Sequence, residues 1–177
     1  MDQSDFRRTI VRSAASVDAA AIASVYNHYI KHSVATFEVE PLSATDMLSR
    51  IEAGAPAYPW LVASDANTVR GYACATPWKS RAAYGKTVET SVYVAPDHLG
   101  CGVGETLYRA LIERLARQGF HCALGGIALP NPASIALHEK LGFTKVGELE
   151  QVGWKHDRWV NVGYWQCFLQ PPEAEAE

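Results

Sequence analysis

The chain has 177 residues, the size of one domain with a substantial buried core. Its 16 Lys and Arg residues face 19 Asp and Glu residues, and three of the acids lie in the terminal segment PPEAEAE, so the rest of the chain is about neutral. A neutral body lacks the basic surface that nucleic-acid binding requires, and we expect no nucleic-acid partner.

The cysteines and the hydropathy pattern bear on location. The four cysteines form no C-x-x-C pair and no cluster with histidines, so we expect neither a metal site nor a disulfide framework. No stretch reaches the roughly 18–20 apolar residues of a membrane span, and the N-terminus has no apolar core of signal-peptide length. These features predict a cytoplasmic protein without a metal ion or a membrane contact.

Residues 9–170 are interpreted as one α/β domain, between a flexible N-terminus at 1–8 and a disordered acidic tail at 171–177. A short strand is followed by an amphipathic helix, because apolar residues recur at helical spacing from Ile22 to Ile30. Ser43, with Asp46 three residues later, forms a capping box that starts a second helix. Three strands are then predicted, over 60–64, 69–76 and 87–94.

The second half of the domain adds two helices and three strands. Apolar spacing from Val103 to Leu115 predicts a third helix, and a buried strand follows over 122–129. Asn131 caps a fourth helix whose first residue is Pro132. Two late strands, about 143–151 and 162–169, flank a predicted loop that bears Trp154 and Trp159, and we expect these tryptophans to be packed. The order β-α-α-β-β-β-α-β-α-β-β predicts a mixed, twisted sheet of six or seven strands with four helices on its faces.

The most informative segment is a glycine-rich turn between a strand and a helix, Gly100-Cys101-Gly102-Val103-Gly104. Glycines let the backbone approach a ligand closely, and the N–H groups of such a turn, with the positive end of the helix dipole, bind phosphate. A P-loop would need Gly-Lys-Ser/Thr, and a dinucleotide fingerprint would need glycine at position 105, which is Glu105. The remaining alternative is a tight turn without a ligand.

This turn and its context resemble the GNAT superfamily of N-acetyltransferases. The context is the preceding Val92-Tyr93-Val94, the later Asn131 and the Gly142-Phe143 pair. The resemblance implies that the turn holds the pyrophosphate of acetyl-CoA and that the preceding strand splays from its neighbour to pair with the pantetheine. The implied cofactor residues are Val92, Tyr93, Val94, Gly100, Cys101, Gly102, Val103, Gly104, Glu105 and Asn131.

Several further motifs resemble the phosphinothricin N-acetyltransferase branch, which includes methionine sulfoximine acetyltransferases. They cover roughly residues 8–170 and read Thr36-Phe37-Glu38, Trp78-Lys79-Ser80-Arg81-Ala82-Ala83-Tyr84, Thr87-Val88-Glu89, Leu129-Pro130-Asn131, His138-Glu139, Gly153-Trp154-Lys155-His156 and Gly163-Tyr164-Trp165-Gln166. The resemblance implies a homodimer, and a place in the homodimer contact is the alternative to packing for the aromatic group of Trp154, Trp159, Tyr164 and Trp165. One departure is Leu99, where the superfamily usually has Gln or Arg before the turn, and this predicts weaker cofactor affinity.

Two residues are candidates for acid–base chemistry. Glu89 is an acid in an otherwise uncharged strand, so we expect it to face a cleft in which burial raises its pKa toward the range of a useful base. His138 lies on the capped fourth helix, and the resemblance implies a catalytic His at this position; from the residues alone, a structural histidine is as good a reading. Tyr108 is more typical of core than of a proton donor.

The acceptor amine is expected to lie beside the loop before Glu89. Lys79 and Arg81 could bind an anionic substrate, Arg81 in bidentate fashion, and a solvated loop is the alternative. The full set of predicted substrate residues is Phe37, Lys79, Ser80, Arg81, Tyr84, Glu89, Thr90 and Ser91.

The sequence therefore predicts an N-acetyltransferase that moves acetyl from acetyl-CoA to the α-amine of a small amino-acid-like molecule. By resemblance, phosphinothricin or a methionine sulfoximine-type analogue is the expected substrate. Two alternatives stay open: acetylation of another amine (a polyamine, an amino acid or a protein N-terminus), and a non-catalytic acyl-CoA-binding module.

Overall fold

The computed structural model of the protein describes residues 9–65 and 68–169. The predicted tails, 1–8 and 171–177, lie outside the described residues. The elements follow the predicted order, and their bounds are β1 (Ile10–Ser13), α1 (Ala19–His32), α2 (Ala44–Gly54), β2 (Trp60–Ser64), β3 (Val69–Pro77), β4 (Thr87–Val94), α3 (Val103–Arg117), β5 (Cys122–Ala128), α4 (Pro132–Lys140), β6 (Thr144–Lys155) and β7 (Arg158–Phe168).

All seven strands join one sheet in the order β1-β2-β3-β4-β5-β7-β6. The pair β4–β5 is parallel and the other five pairs are antiparallel. The predicted mixed sheet with helices on its faces is thus confirmed.

A hydrophobic core lies on each face of the sheet. On one face α3 buries Leu107, Tyr108 and Leu111 completely against the strands. On the other face α1 and α2 bury a second set, which includes Ile22 and Met47. Because side chains of a strand alternate between faces, each strand residue belongs to one core or the other, and this alternation assigns every β4 side chain to a side.

The parallel pair is short, and this shapes the middle of the sheet. The register of β4 with β5 runs only through Thr87↔Cys122, Val88↔Ala123 and Glu89↔Leu124. Beyond Glu89, β4 stays paired with β3 on its other edge, and β5 stays paired with β7 up to Ala128. The two strands therefore part after Glu89, each still held by its outer neighbour, and a wedge-shaped opening forms between them.

The predicted loop around Trp154 and Trp159 is wrong. β6 and β7 continue to a tight hairpin in which Trp154 pairs with Trp159, and the turn is His156-Asp157, both at positive φ. Aromatic residues favour strands, and two left-handed residues match the turn that joins twisted strands most easily. The two tryptophans contact each other edge-on, with ring centroids 5.1 Å apart, but they are 53% and 57% exposed and so lie outside the core.

Candidate active site

A groove of about 440 Å³ occupies the opening between β4 and β5. Its walls come from both faces of the sheet, with α1 and the segment after it on one side and α4 on the other. They include Tyr29, Ala35, Thr90, Ser91, Val92, Tyr93, Val94, Leu99, Gly126, Ile127, Ala128, Asn131, Ser134, Leu137 and His138. The groove therefore runs along the edge of β4 that has no strand partner beyond Glu89.

Residues 90–94 of β4 present this free edge. Val92 and Val94 pack toward the core under α3, and Tyr93 packs on the other face, where its ring lies 5.2 Å from that of Tyr26. The Tyr29 hydroxyl donates to the Val94 carbonyl at 2.6 Å, which anchors the far end of the strand to α1. Because the strand is held at both ends and along β3, its open edge is a rigid row of backbone donors and acceptors.

The glycine turn begins directly after Leu99, a residue of the groove wall. Gly100 and Gly102 have φ of 71° and 75°, the left-handed region that favours glycine, and Gly102 is the N-cap residue of α3. A Cβ at either glycine would meet no atom of the protein within 4 Å, so these positions require glycine for their backbone conformation and not for packing.

Two predicted cofactor residues have side chains that are already engaged. The Glu105 carboxylate pairs with Arg109 at 3.1 Å and with Lys140 at 2.6 Å. Asn131 caps α4, because its Oδ1 accepts the Ser134 N–H at 3.1 Å. Any contact of Glu105 with a ligand would therefore use its backbone, and Asn131 orients the helix that carries His138.

Glu89 is half-buried and lines a second cavity of about 400 Å³. The other walls of this cavity include Phe37, Gly126, Leu149, Val152, Trp154 and Tyr164. Burial raises the pKa of Glu89, and the nearby charge of Lys79 opposes that rise. The direction agrees with the expectation from the sequence.

The predicted substrate residues divide into two groups. Thr90, Ser91 and Phe37 line the groove or the second cavity, whereas Ser80, Arg81 and Tyr84 lie exposed on the β3–β4 connection and line neither. Lys79 is also exposed and lines neither cavity, but its charge acts on the pKa of Glu89. Its ammonium is 4.6 Å from the centre of the Trp78 ring, and the Trp78 ring packs edge-on against Tyr164 of the cavity wall.

His138 is 5% exposed and fixed on all sides. Its Nδ1–H donates to the Ser134 carbonyl at 2.8 Å, and its Nε2 lies 2.9 Å from the Tyr108 hydroxyl. The ring also packs against Phe143, with centroids 5.1 Å apart. Burial lowers the pKa of His138, and the bond to Ser134 opposes that effect only in part, so the imidazole is neutral near pH 7.

Two adjacent glycines in β5 make room for both candidates. A Cβ at Gly125 would overlap the His138 ring, and a Cβ at Gly126 would lie 3.2 Å from Glu89 Oε1. Neighbouring residues of a strand point to opposite faces, so Glu89 and His138 lie on opposite faces of the sheet, with the opening between them. The sequence reasoning missed the role of Gly125 and Gly126. The available signal was two glycines inside an otherwise apolar strand.

Lys155 is a second residue that the sequence reasoning left without a role. It is 4% exposed, and its ammonium donates to the Thr36 carbonyl at 2.6 Å. This bond ties the end of β6 to the segment that carries Phe37. A Cβ at Gly153 would overlap the Phe37 ring, so the ring packs directly against the hairpin backbone at this glycine, where it lines the cavity of Glu89.

Within residues 9–65 and 68–169, the structure has neither a metal-binding cluster nor a membrane-spanning helix. No group of three or more His, Cys, Asp and Glu side chains is arranged to hold a metal ion. None of the helices in this part of the chain is both long and apolar enough to span a membrane.

The arrangement suits proton transfer beside an extended ligand. A carboxylate with a raised pKa faces the opening from one side, and a neutral imidazole lies on the other. The free edge of β4 can bind a chain of amides, and the turn at its end presents N–H groups at a helix N-terminus.

Residues 22–143 match the model of the acetyltransferase (GNAT) family. The chain belongs to this family. It is 43% identical to a phosphinothricin N-acetyltransferase of Streptomyces viridochromogenes, over 92% of this chain and 88% of that protein. It is 39% identical to an L-methionine sulfoximine/L-methionine sulfone acetyltransferase of Salmonella typhimurium, over 93% and 96% of the two chains.

A solved structure gives the same result for the fold. The phosphinothricin acetyltransferase of Sinorhizobium meliloti, determined in complex with acetyl-CoA, superposes with a TM-score of 0.88 and 34% identity, and covers 94% of each chain. This GNAT protein is therefore an N-acetyltransferase, and the prediction of an acetyltransferase fold and activity is confirmed.

Replacing Gly125 with Ala tests the slot that holds the His138 ring. The added Cβ must displace the imidazole, so we expect kcat to fall at least about tenfold and the free energy of unfolding to fall by about 1–3 kcal/mol. Gly147→Ala on β6 is the matched control, because its Cβ meets nothing within 4 Å. Steady-state kinetics and urea denaturation of both variants give the comparison; equal kcat in the two would contradict the proposed slot.

Proposed function

We propose that this GNAT enzyme transfers acetyl from acetyl-CoA to the α-amine of a small amino-acid-like substrate, with phosphinothricin or methionine sulfoximine as the best acceptors. The observation that supports this most directly is the parting of β4 and β5 after Glu89, with Glu89 facing one cavity and His138 on the opposite face. The named activities of the two relatives point to the same acceptors.

Acetyl-CoA fits the groove by its chemistry. The pantetheine arm carries amides that can pair with the free edge of residues 90–94, and the pyrophosphate suits the N–H groups of the turn at Gly100–Gly104. The side chain of Leu99 is 57% exposed and cannot bind phosphate, so the turn binds through its backbone. Acetyl-CoA supplies the thioester that the acceptor amine attacks.

The acceptor amine enters from the cavity on the other face. Glu89 takes a proton from the ammonium, which is the form that an amine has near neutral pH, and so produces the nucleophile. Lys79 lies close enough to act on the pKa of Glu89, and it attracts the carboxylate of an amino acid. Arg81, exposed on the same connection, is placed by this proposal at the second anionic group of phosphinothricin.

The deciding experiment measures release of the CoA thiol with a panel of amines. The panel contains phosphinothricin, methionine sulfoximine, ordinary amino acids, a polyamine and a peptide with a free N-terminus. We expect the first two to have the highest kcat/KM. A higher kcat/KM for the polyamine or the peptide would contradict the acceptor class, and acetyl-CoA binding without turnover of any amine would contradict Glu89-assisted catalysis.

Glu89→Gln tests the base. Gln is nearly isosteric, so the fold and acetyl-CoA binding should persist, but it cannot accept a proton, and kcat should fall by about 10²–10⁴. In the wild type, kcat/KM should rise with pH through the raised pKa of Glu89, because only the ionised carboxylate is a base. The variant should lose that limb of the profile.

The matched control is Glu113→Gln. Glu113 is an exposed acid of α3 and does not line the cavity of Glu89. It should retain the wild-type rate at every pH. A Glu89→Gln enzyme within a few-fold of wild type across the profile would assign the base to another group.

Gly102→Val tests the pyrophosphate turn. A β-branched residue rarely adopts φ near 75°, so the backbone must rearrange and the N–H groups of the turn lose their alignment. A ligand at about 100 times its Kd stabilises a protein by roughly 2.7 kcal/mol, and we expect the variant to lose most of the corresponding rise in Tm.

The control for backbone strain is Gly119→Val. Gly119 has φ of 78° and follows α3, outside the groove walls. Both variants should have lower Tm without ligand, but acetyl-CoA should still stabilise Gly119→Val. If acetyl-CoA raised the Tm of both variants equally, the turn would not be part of the binding site.

The proposed quaternary state is a homodimer formed through the β6–β7 hairpin. β6 is an edge strand of the sheet, and the hairpin exposes Val146, Leu149, Val152, Trp154 and Trp159, each 47–57% accessible. An unpaired edge with apolar side chains is a surface that proteins normally cover. Leu149, Val152 and Trp154 also line the cavity of Glu89, so a second copy here would cover that cavity.

Leu149→Asp should convert the dimer to a monomer, because a charge in an apolar contact must be desolvated. Sedimentation equilibrium should give the wild type twice the chain mass of 19.4 kDa and the variant the single mass. Ile10→Asp, at the opposite edge of the sheet and 65% exposed, is the control and should stay dimeric. A monomeric wild type would contradict this assembly.

A cytoplasmic location is part of the proposal. Cys74, Cys101, Cys122 and Cys167 are all free thiols, and a reducing compartment maintains that state. The domain boundaries at 9 and 170 are proposed likewise, from the sequence.

A further inference from the structure

A chain of hydrogen bonds connects the groove to His138 through two hydroxyl groups. Thr90 Oγ1 lies 2.7 Å from the Tyr108 hydroxyl, and this hydroxyl lies 2.9 Å from His138 Nε2. Thr90 Oγ1 is also 3.1 Å from the carbonyl oxygen of Leu124. Thr90 and His138 line the groove, whereas Tyr108 is fully buried beneath it.

The number of protons fixes the direction of this chain when His138 is neutral. Its Nδ1–H donates to the Ser134 carbonyl, so Nε2 has a lone pair and must accept from Tyr108. Tyr108 then has no second proton, so the contact at 2.7 Å requires Thr90 to donate to the tyrosine oxygen. All donors point toward the imidazole.

The direction reverses when His138 is protonated. Nε2–H then donates to Tyr108, Tyr108 donates to Thr90, and Thr90 donates to the Leu124 carbonyl. The Leu124 oxygen is therefore the acceptor that satisfies Thr90 in the second state. In both states the hydroxyls of Thr90 and Tyr108 each donate to an acceptor, and no heavy atom has to move between the states. A hydrogen-bond pattern with only a structural role would not need acceptors for both directions.

The outer end of the chain lies where the chemistry is expected. Thr90 is the first β4 residue beyond the last register pair, Glu89↔Leu124, so it lies at the apex of the opening, and it lines the groove. Both nitrogens of His138 are occupied by protein groups. A direct bond from the imidazole to a ligand in the groove would have to break one of them.

We propose that Thr90 and Tyr108 form a relay that carries a proton between the groove and His138. This proposal rests on the acetyl transfer proposed above. After the amine nitrogen bonds to the carbonyl carbon, that nitrogen gives its proton to Thr90 Oγ1. The Thr90 proton passes to Tyr108, and the Tyr108 proton passes to Nε2. When the C–S bond breaks, its electron pair goes to sulfur, and the same protons return along the chain to form the thiol.

The proton balance then closes over one turnover. Glu89 takes the first proton from the ammonium and releases it to water, and His138 holds the second until the thiolate takes it. The imidazole is suited to this, because burial lowers its pKa and keeps it neutral and ready to accept. Tyr108 of α3 is the titratable group that faces it, and Ser134 of α4, Thr90 of β4 and Gly125 of β5 bring no charge.

Three variants separate a relay from a structural role. Tyr108→Phe and Thr90→Val each interrupt the chain but preserve shape, whereas Thr90→Ser preserves the hydroxyl. We expect the first two to lower kcat at least about tenfold with KM for both substrates within threefold, and Thr90→Ser to retain most of the rate. The double variant should be no slower than the slower single one, because one relay is lost only once.

The control for the loss of a buried tyrosine hydroxyl is Tyr26→Phe. Its hydroxyl also bonds to a threonine, Thr36, at 2.6 Å, but away from His138. The pH profile of kcat gives the decisive readout: the limb that belongs to His138 should persist in Tyr26→Phe and vanish in Tyr108→Phe. A Tyr108→Phe profile with the same limb and rate as wild type would overturn the relay, as would a double variant whose losses multiply.

Nitrogen NMR of the imidazole tests the inference without turnover. At neutral pH the wild type should have His138 protonated at Nδ1 alone, with a pKa below its usual value. Protonation at Nε2 instead would reverse the donors and overturn the proposal. If no amine is acetylated, the proposed function fails, and this measurement still decides whether the chain has the direction that the relay requires.

Discussion

The parting of two parallel strands is the constraint on which the rest of the molecule depends. β4 and β5 share only three register pairs, and each is held beyond that point by its outer partner. A sheet that loses a ladder in its middle leaves backbone donors and acceptors without partners, which is unfavourable in a packed protein. The free edge is therefore stable only beside water or a ligand that supplies the missing amide contacts. This is the edge at which we propose that the amides of acetyl-CoA bind.

The adjacent glycines of β5 adapt the sheet to this opening. Gly125 accepts the ring of His138 and Gly126 the carboxylate of Glu89, so one dipeptide leaves space on both faces. Side chains at these positions would fill the space from which the two groups approach. Gly153 has the same role, because the absence of a side chain there lets the Phe37 ring pack against the hairpin backbone. Close approach to backbone, more than flexibility, explains these three glycines.

The sequence predicted the elements well where local chemistry determines them. The capping box at Ser43 and the cap at Asn131 both form as expected, and the strand over 87–94 has the predicted bounds. The hairpin of β6 and β7 was misjudged, because its tight turn uses His156 and Asp157 at positive φ in place of the usual Asn-Gly. Its tryptophans were expected to pack within the chain, with a homodimer contact as the alternative, and helical or strand spacing could not decide between the two because it does not record the partner surface.

The sequence predicted only part of the candidate site. Glu89 stood out as the one acid in an otherwise uncharged strand, and His138 by its place on a capped helix. Helical spacing records only which face of α3 is buried. It could not show that Tyr108 belongs to the core and also to the hydrogen-bond chain from Thr90 to His138. The partners of its hydroxyl come from residues 18 positions before and 30 positions after it. Such contacts depend on the register of β4 and the angle of α4, which no local pattern encodes.

The placement of Glu89 and His138 on opposite faces of the sheet has a kinetic consequence. If acetyl-CoA and the acceptor amine reach the opening from different faces of the sheet, neither blocks the entrance of the other. Both can then reside on the protein together, and acetyl passes directly between them with no covalent acyl-enzyme stage. Initial-rate plots against either substrate would intersect, as in a sequential mechanism, and the acetylated product could depart by its own exit while CoA is still bound.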